Sequence, residues 1–250
     1  MIEEAVGERA TTTEERLLAL GKGVLVVFLA FLGAVVAASL ADGALRGVGV
    51  GPDTLAHRVL VSSAQFLGFG LGVAGYLGAA DDWALVRDRL RSPTLRDAGY
   101  LVGGAALLVV AATLIGQALA RLGVDVAQNQ AIAAGRENPT YFLWMIPVSV
   151  LLVGPFEELV FRGGLQGHLR RAWGPAPAVV LASAGFGAVH LFALGGSGSR
   201  VTYLAVAAVL GVVLGAAYER TENLLVPAGA HGLYNATLFL VQYLSATGAV

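Results

Sequence analysis

The chain has no cysteine. That excludes disulfides, thiolate metal sites and cysteine nucleophiles. Charge is scarce as well, at 13% of residues against roughly 25% in typical soluble domains. The formal net charge is −1, near balance, so nucleic acid is not an expected partner. No internal repeat, low-complexity tract or soluble domain stands out along the 250 residues. The first 22 residues also lack the basic start of a signal peptide, because Glu3, Glu4, Glu8, Glu14 and Glu15 dominate them.

What remains is apolar. Hydrophobic residues make up 56% of the chain, and mean hydropathy is +0.73. A membrane-crossing helix needs about 20 mostly apolar residues. Seven stretches qualify: Gly23–Ala41, Val59–Ala80, Ala98–Leu119, Tyr141–Phe161, Pro177–Leu194, Tyr203–Tyr218 and Leu224–Leu244. The expected fold is an all-α, polytopic membrane bundle of about seven transmembrane helices. Its parts are a tail over 1–22, N-terminal spans over 23–140 and a polar-bearing core over 141–250. Thr12 and Glu15 have capping-box spacing for a short helix in the tail. The glycine pairs Gly68/Gly72, Gly99/Gly103 and Gly211/Gly215 read as close helix packing. His57 and His168, near predicted helix ends, read as solvated.

Arginine in short loops sets orientation. Arg87, Arg89, Arg91 and Arg96 follow the second span, and Arg162, Arg170 and Arg171 follow the fourth. Those ends, with the N-terminal tail, are expected in the cytoplasm, and seven spans place the C-terminus outside.

The fourth span carries the anomaly. An uncharged run from Leu143 to Val153 continues directly into Glu157-Glu158-Leu159-Val160-Phe161-Arg162. A charge at bilayer depth costs at least about 2.5–3.5 kcal/mol, so such groups pair, face a cavity or perform chemistry. Two later spans are polar at matching depth, through Phe186 with His190 and through His231 with Asn235. Glu158 lies about 15 residues before the Trp173-Gly174-Pro175 turn and His190 about 15 after it, so both legs are about 22 Å. His231 lies roughly 15 Å beyond the next turn by the same rise. The three segments are expected to meet in one buried site opening toward the cytoplasmic half.

Glu158 with Arg162, and His231 with Asn235, are each four apart and share a helix face. Glu157 and Glu158 point about 100° apart and cannot make the same contact. One division pairs Glu158 with Arg162 and turns Glu157 to the centre, and the reverse satisfies the same spacing. Pro147 and Pro155 are expected to loosen the fourth helix and admit water. Two imidazoles and a carboxylate, here Glu157, His190 and His231, suit zinc. A metal-free glutamate acting as general base toward water serves equally. Either route hydrolyses a carbonyl bond. Buried Glu and His also build proton relays, so a proton-coupled transporter is a second reading. A non-catalytic membrane scaffold is a third.

The three motifs, Glu-Glu-x-x-x-Arg at 157–162, Phe-x-x-x-His at 186–190 and His-x-x-x-Asn at 231–235, resemble those of the CPBP intramembrane proteases. That family includes the CAAX prenyl endopeptidases and the bacterial Abi proteins. The resemblance covers roughly residues 141–244. It implies an intramembrane endopeptidase acting on a membrane-associated protein or peptide, with the lipid bilayer as its setting. It assigns Glu157 as the base that activates water and Glu158 as the second glutamate, with Arg162 its partner. His190 then positions water or the substrate carbonyl, and His231 and Asn235 complete the site at the oxyanion.

Overall fold

A computed structural model describes residues 11–249. The acidic tail residues Glu3, Glu4 and Glu8 lie outside them. Among the described residues the chain forms nine helices. They are α1 (Thr13–Gly47), α2 (Leu55–Ala79), α3 (Ala84–Arg87), α4 (Leu95–Arg121), α5 (Gln130–Glu137), α6 (Thr140–Trp173), α7 (Pro175–Ala193), α8 (Arg200–Thr221) and α9 (Leu225–Ala246). Two short strands, β1 (Gln128–Asn129) and β2 (Leu194–Gly195), pair antiparallel.

Six of the helices are long and apolar enough to cross a membrane. The protein is therefore an integral, multi-pass membrane protein with an all-α bundle. The seventh expected span, α9, matches them in length at 22 residues. Its inward-facing His231 and Asn235 lower its hydropathy, and it packs on α4 and α6 inside the bundle. The capping box forms as expected, with Glu15 N–H donating to Thr12 Oγ1 at 3.2 Å and Thr12 N–H to Glu15 Oε2 at 2.7 Å. The helix it starts is not a separate short one. It runs unbroken for 35 residues, about 52 Å, which exceeds the ~30 Å hydrocarbon core.

Backbone approach explains part of the glycine content. A Cβ on Gly68 or Gly72 would meet a backbone Cα of α1, Ala34 or Ala30, at 2.7 Å. Gly211 and Gly215 face Ser183 and Val179 of α7. Gly99 and Gly103 depart from the expectation, because a Cβ there would meet nothing within 4 Å. They lie on the exposed side of α4.

Pro147 and Pro155 do disturb α6. The helix widens into π-helical turns at Ser149–Val153 and again at Leu159–Gln166. A proline nitrogen offers no hydrogen to the carbonyl four residues back, so the ladder must shift register locally. Such bulges gather at functional sites. The second one is buried from Val160 through Gln166.

His57 and His168 are buried rather than solvated, at 6% and 2% exposure. His57 Nε2 meets Asp42 at 2.9 Å, and His168 Nε2 meets the Tyr76 hydroxyl at 2.9 Å. Both imidazoles satisfy their polar atoms against a helix distant in sequence, which local reading does not reveal.

Arginines tie together the helix ends on the face where α1 begins. Arg171 binds Asp82 at 2.6 Å, Arg89 binds Glu222 at 2.9 Å, and Arg170 binds Glu219 at 2.8 Å. Hydrogen bonds from Arg171 hold the Asp82 carboxyl below its usual range. Those from Arg89 and then Arg170 do the same for Glu222.

Candidate active site

Glu157 and Glu158 sit in α6 between its two π-helical stretches. Glu158 has no exposed surface and faces Arg162 and His231. Arg162 Nε donates to its Oε2 at 2.8 Å, and His231 Nδ1 lies 2.9 Å from its Oε1. A carboxylate only accepts, so His231 Nδ1 carries the proton. Glu157 turns the other way. Its carboxylate is 18% exposed to a cavity and its Oε2 lies 3.9 Å from His231 Nε2. Of the two divisions open from spacing, the structure adopts the one in which Glu158 pairs with Arg162.

His190 closes the regular part of α7, where its Nδ1 donates to the Phe186 carbonyl at 2.7 Å. That leaves Nε2 with a lone pair in the neutral ring. Phe186 is the wedge that holds the parts in place. Its ring centroid is 4.6 Å from that of His190, 5.7 Å from that of His231 and 5.3 Å from the Arg162 guanidinium carbon. The last contact is a cation–π arrangement, favourable where water is excluded. Asn235, one turn beyond His231, lines the same cavity.

The register between α6 and α9 depends on glycine. A Cβ on Gly232 would lie 2.9 Å from the Ser149 carbonyl oxygen and from Val150 Cα. Backbone atoms cannot rotate aside as a side chain can. Gly232→Ala is therefore expected to lower stability by about 1–3 kcal/mol. Because His231 is its neighbour, turnover should fall too. Thermal midpoint in detergent and peptide turnover would both be read, and parental values for both would refute the close-approach argument.

The cavity holds about 880 Å³. Glu157, His190, His231 and Asn235 line its inner end, with Phe161, Phe186 and Leu214 as its apolar floor. Gln128, Asn129 and Gln130 line its outer end. α2 and α4 flank it and make no extended contact with each other. Its direction corrects the sequence expectation. The cavity opens toward the β1–β2 face, away from the arginine-rich ends. Glu158 stands about 22 Å from the arginine-rich turn, and the buried turn Val160–Gln166 blocks the way back.

The three motifs thus occupy one buried site, in the order and on the helices that their resemblance implied. Residues 139–237 match the family model of type II CAAX prenyl endopeptidases, Rce1-like. The match begins one residue before α6 and contains all six candidate site residues. The match supports a CPBP-family intramembrane protease domain over those residues. Comparison with curated proteins and with solved structures finds no match. At family level, that match supports a CAAX-type intramembrane endopeptidase.

Among the described residues, no group of three or more His, Asp or Glu side chains is disposed to hold a metal ion. Glu157, His190 and His231, the set suited to zinc, share the cavity wall without converging as ligands. Phe186 stands against both imidazoles, and each Nδ1 is held, by Phe186 O and by Glu158, which leaves both Nε2 atoms free.

Sequence reasoning missed the outer wall. Tyr203 lies with its ring centroid 6.1 Å from that of His190, and its hydroxyl accepts from Asn129 Nδ2 at 3.2 Å. Gln130 donates to the Leu194 carbonyl at 3.2 Å. The one signal for these residues was the amide run Gln128-Asn129-Gln130 between two apolar spans.

Proposed function

We propose that the CPBP domain hydrolyses a peptide bond of a membrane-associated substrate with a water activated by Glu157. One observation carries the reading. Glu157 is the single carboxylate among the residues lining the cavity, and it faces a histidine held from behind by a buried carboxylate–guanidinium pair. A gap of 3.9 Å between Glu157 and His231 Nε2 accommodates a water that touches both groups at ordinary hydrogen-bond length.

Glu157 takes a proton as the water oxygen attacks the scissile carbonyl carbon. The neutral His190 Nε2 accepts from that water and orients it, so His190 positions water rather than the carbonyl. With His231 as an imidazolium, its charge and that of Arg162 balance the two glutamates. His231 Nε2–H and the Asn235 amide then donate to the oxyanion. Glu157 returns the proton to the departing amine nitrogen as the carbon–nitrogen bond breaks. Glu158 and Arg162 act through His231 and do not touch substrate. The flanking helices α2 and α4 leave an approach for a substrate anchored in the bilayer. One compact polar cluster, in a sequence without repeated halves, sets this reading above a carrier.

The route uses no metal. Purified protein, assayed on a membrane-associated peptide, is expected to keep full turnover with EDTA or 1,10-phenanthroline. Loss of activity that zinc restores would replace this mechanism with a metal-assisted one.

A further inference from the structure

We propose that Arg96, Tyr100 and Arg220 form a site for the phosphate of an anionic lipid, on the outer surface of the bundle between the start of α4 and the end of α8. None of the three lines the cavity, so the site is separate from the proposed peptidase centre and does not rest on it.

The first observation is charge without a partner. Among the described residues, Arg87, Arg89, Arg91, Arg170 and Arg171 each bind a carboxylate. Arg96 and Arg220, on the same face, are in no such pair. The carboxylates beside them in sequence are engaged elsewhere, Asp97 by Arg91 at 2.7 Å and Glu219 by Arg170 at 2.8 Å.

The second is convergence. The Arg96 guanidinium carbon stands 5.5 Å from the Tyr100 ring centroid. Arg220, in the last turn of α8, comes to the same phenol from the neighbouring helix. Their spacing is fixed from below. Arg91 binds Asp97 of α4 and donates to the Thr221 carbonyl of α8 at 2.6 Å, which ties the two helix ends together. Two cations held at one neutral group repel each other, and an anion between them removes that repulsion. Forked guanidinium donors match phosphate oxygens, and the Tyr100 hydroxyl supplies a further donor.

The third is depth. Arg200 and Arg220 bound α8 and lie twenty residues apart, about 30 Å, which equals the thickness of the hydrocarbon core. Arg220 therefore stands at the level of headgroup phosphates. Arg96 is in the first turn of α4, and Tyr100, one turn further in, occupies the level where aromatic residues gather. This depth selects a lipid over a soluble phosphate. Phosphates line both surfaces of a bilayer, so the site serves whichever side this end faces. Access is open, because Gly99 and Gly103 leave α4 bare below Arg96, and a Cβ on either would meet nothing within 4 Å.

The test uses the purified full chain in neutral detergent, titrated with phosphatidylglycerol or phosphatidylcholine, with bound lipid counted by native mass spectrometry. The parent is expected to take up phosphatidylglycerol in preference. Arg96→Gln with Arg220→Gln should weaken that binding by about ten- to thirtyfold, given what each basic residue contributes at an anionic surface. Each single variant should lose part of it, which keeps the comparison available if the double variant does not fold. Arg16→Gln with Lys22→Gln removes the same two charges from the same face and should bind as the parent does. Equal loss in the two double variants would overturn the site and leave only diffuse attraction. Equal uptake of the two lipids by the parent would overturn it too. Displacement of the lipid by millimolar inorganic phosphate would assign the arginines to a soluble anion and overturn the choice of a lipid.

Discussion

Glu157→Gln is expected to lower peptide turnover by about a hundred- to ten-thousand-fold, the range supplied by a positioned general base. The amide keeps the size of the side chain but cannot accept and return a proton. The fold should be indifferent to the change. Glu157 is partly exposed to the cavity, and its nearest charged partner is 3.9 Å away. The thermal midpoint should therefore stay near that of the parent while turnover collapses. A variant within twofold of parental activity would remove Glu157 from the chemistry. A variant that fails to fold would show that the carboxylate holds the α6–α9 contact instead.

The opposite pattern is expected at Arg162. Its guanidinium and the Glu158 carboxylate have no exposed surface. Removing one member strands a charge in a region without water. Arg162→Met should therefore cost about 3–5 kcal/mol of stability. Replacing both, as Glu158→Leu with Arg162→Met, should recover part of that loss, because the pair must no longer be desolvated. Activity should not return with stability. His231 Nδ1 would have lost the acceptor that orients the ring and aims Nε2–H at the cavity. A double variant that folds but does not turn over separates the pair's role in positioning from its role in packing. Parental stability of Arg162→Met, or parental activity in the double variant, would contradict the arrangement.

The two glutamates show how far local pattern carries. Neighbouring residues on a helix point about 100° apart, so different roles were legible for Glu157 and Glu158. Which took which role was not, because the answer lies in His231, 73 residues further on, reaching Glu158 rather than Glu157. The burial of His57 and His168 has the same origin. Asp42 and Tyr76 satisfy them from other helices. Gly99 and Gly103 err in the reverse direction. Their spacing suits a helix crossing, yet no helix meets that side of α4.

Hydrophobic run length, scarcity of charge and the four-residue spacings establish a multi-pass helical bundle with one polar cluster at membrane depth. These follow from helix rise and the cost of burying charge, which act within a single segment. The direction in which the cluster faces follows from contacts between segments far apart in the chain. The π-helical turns seal Val160–Gln166 on one side, and the amide-bearing loop folds over the other beside β1. No periodicity encodes those contacts, so only packing settles that Glu157 looks toward the cavity and away from the arginines.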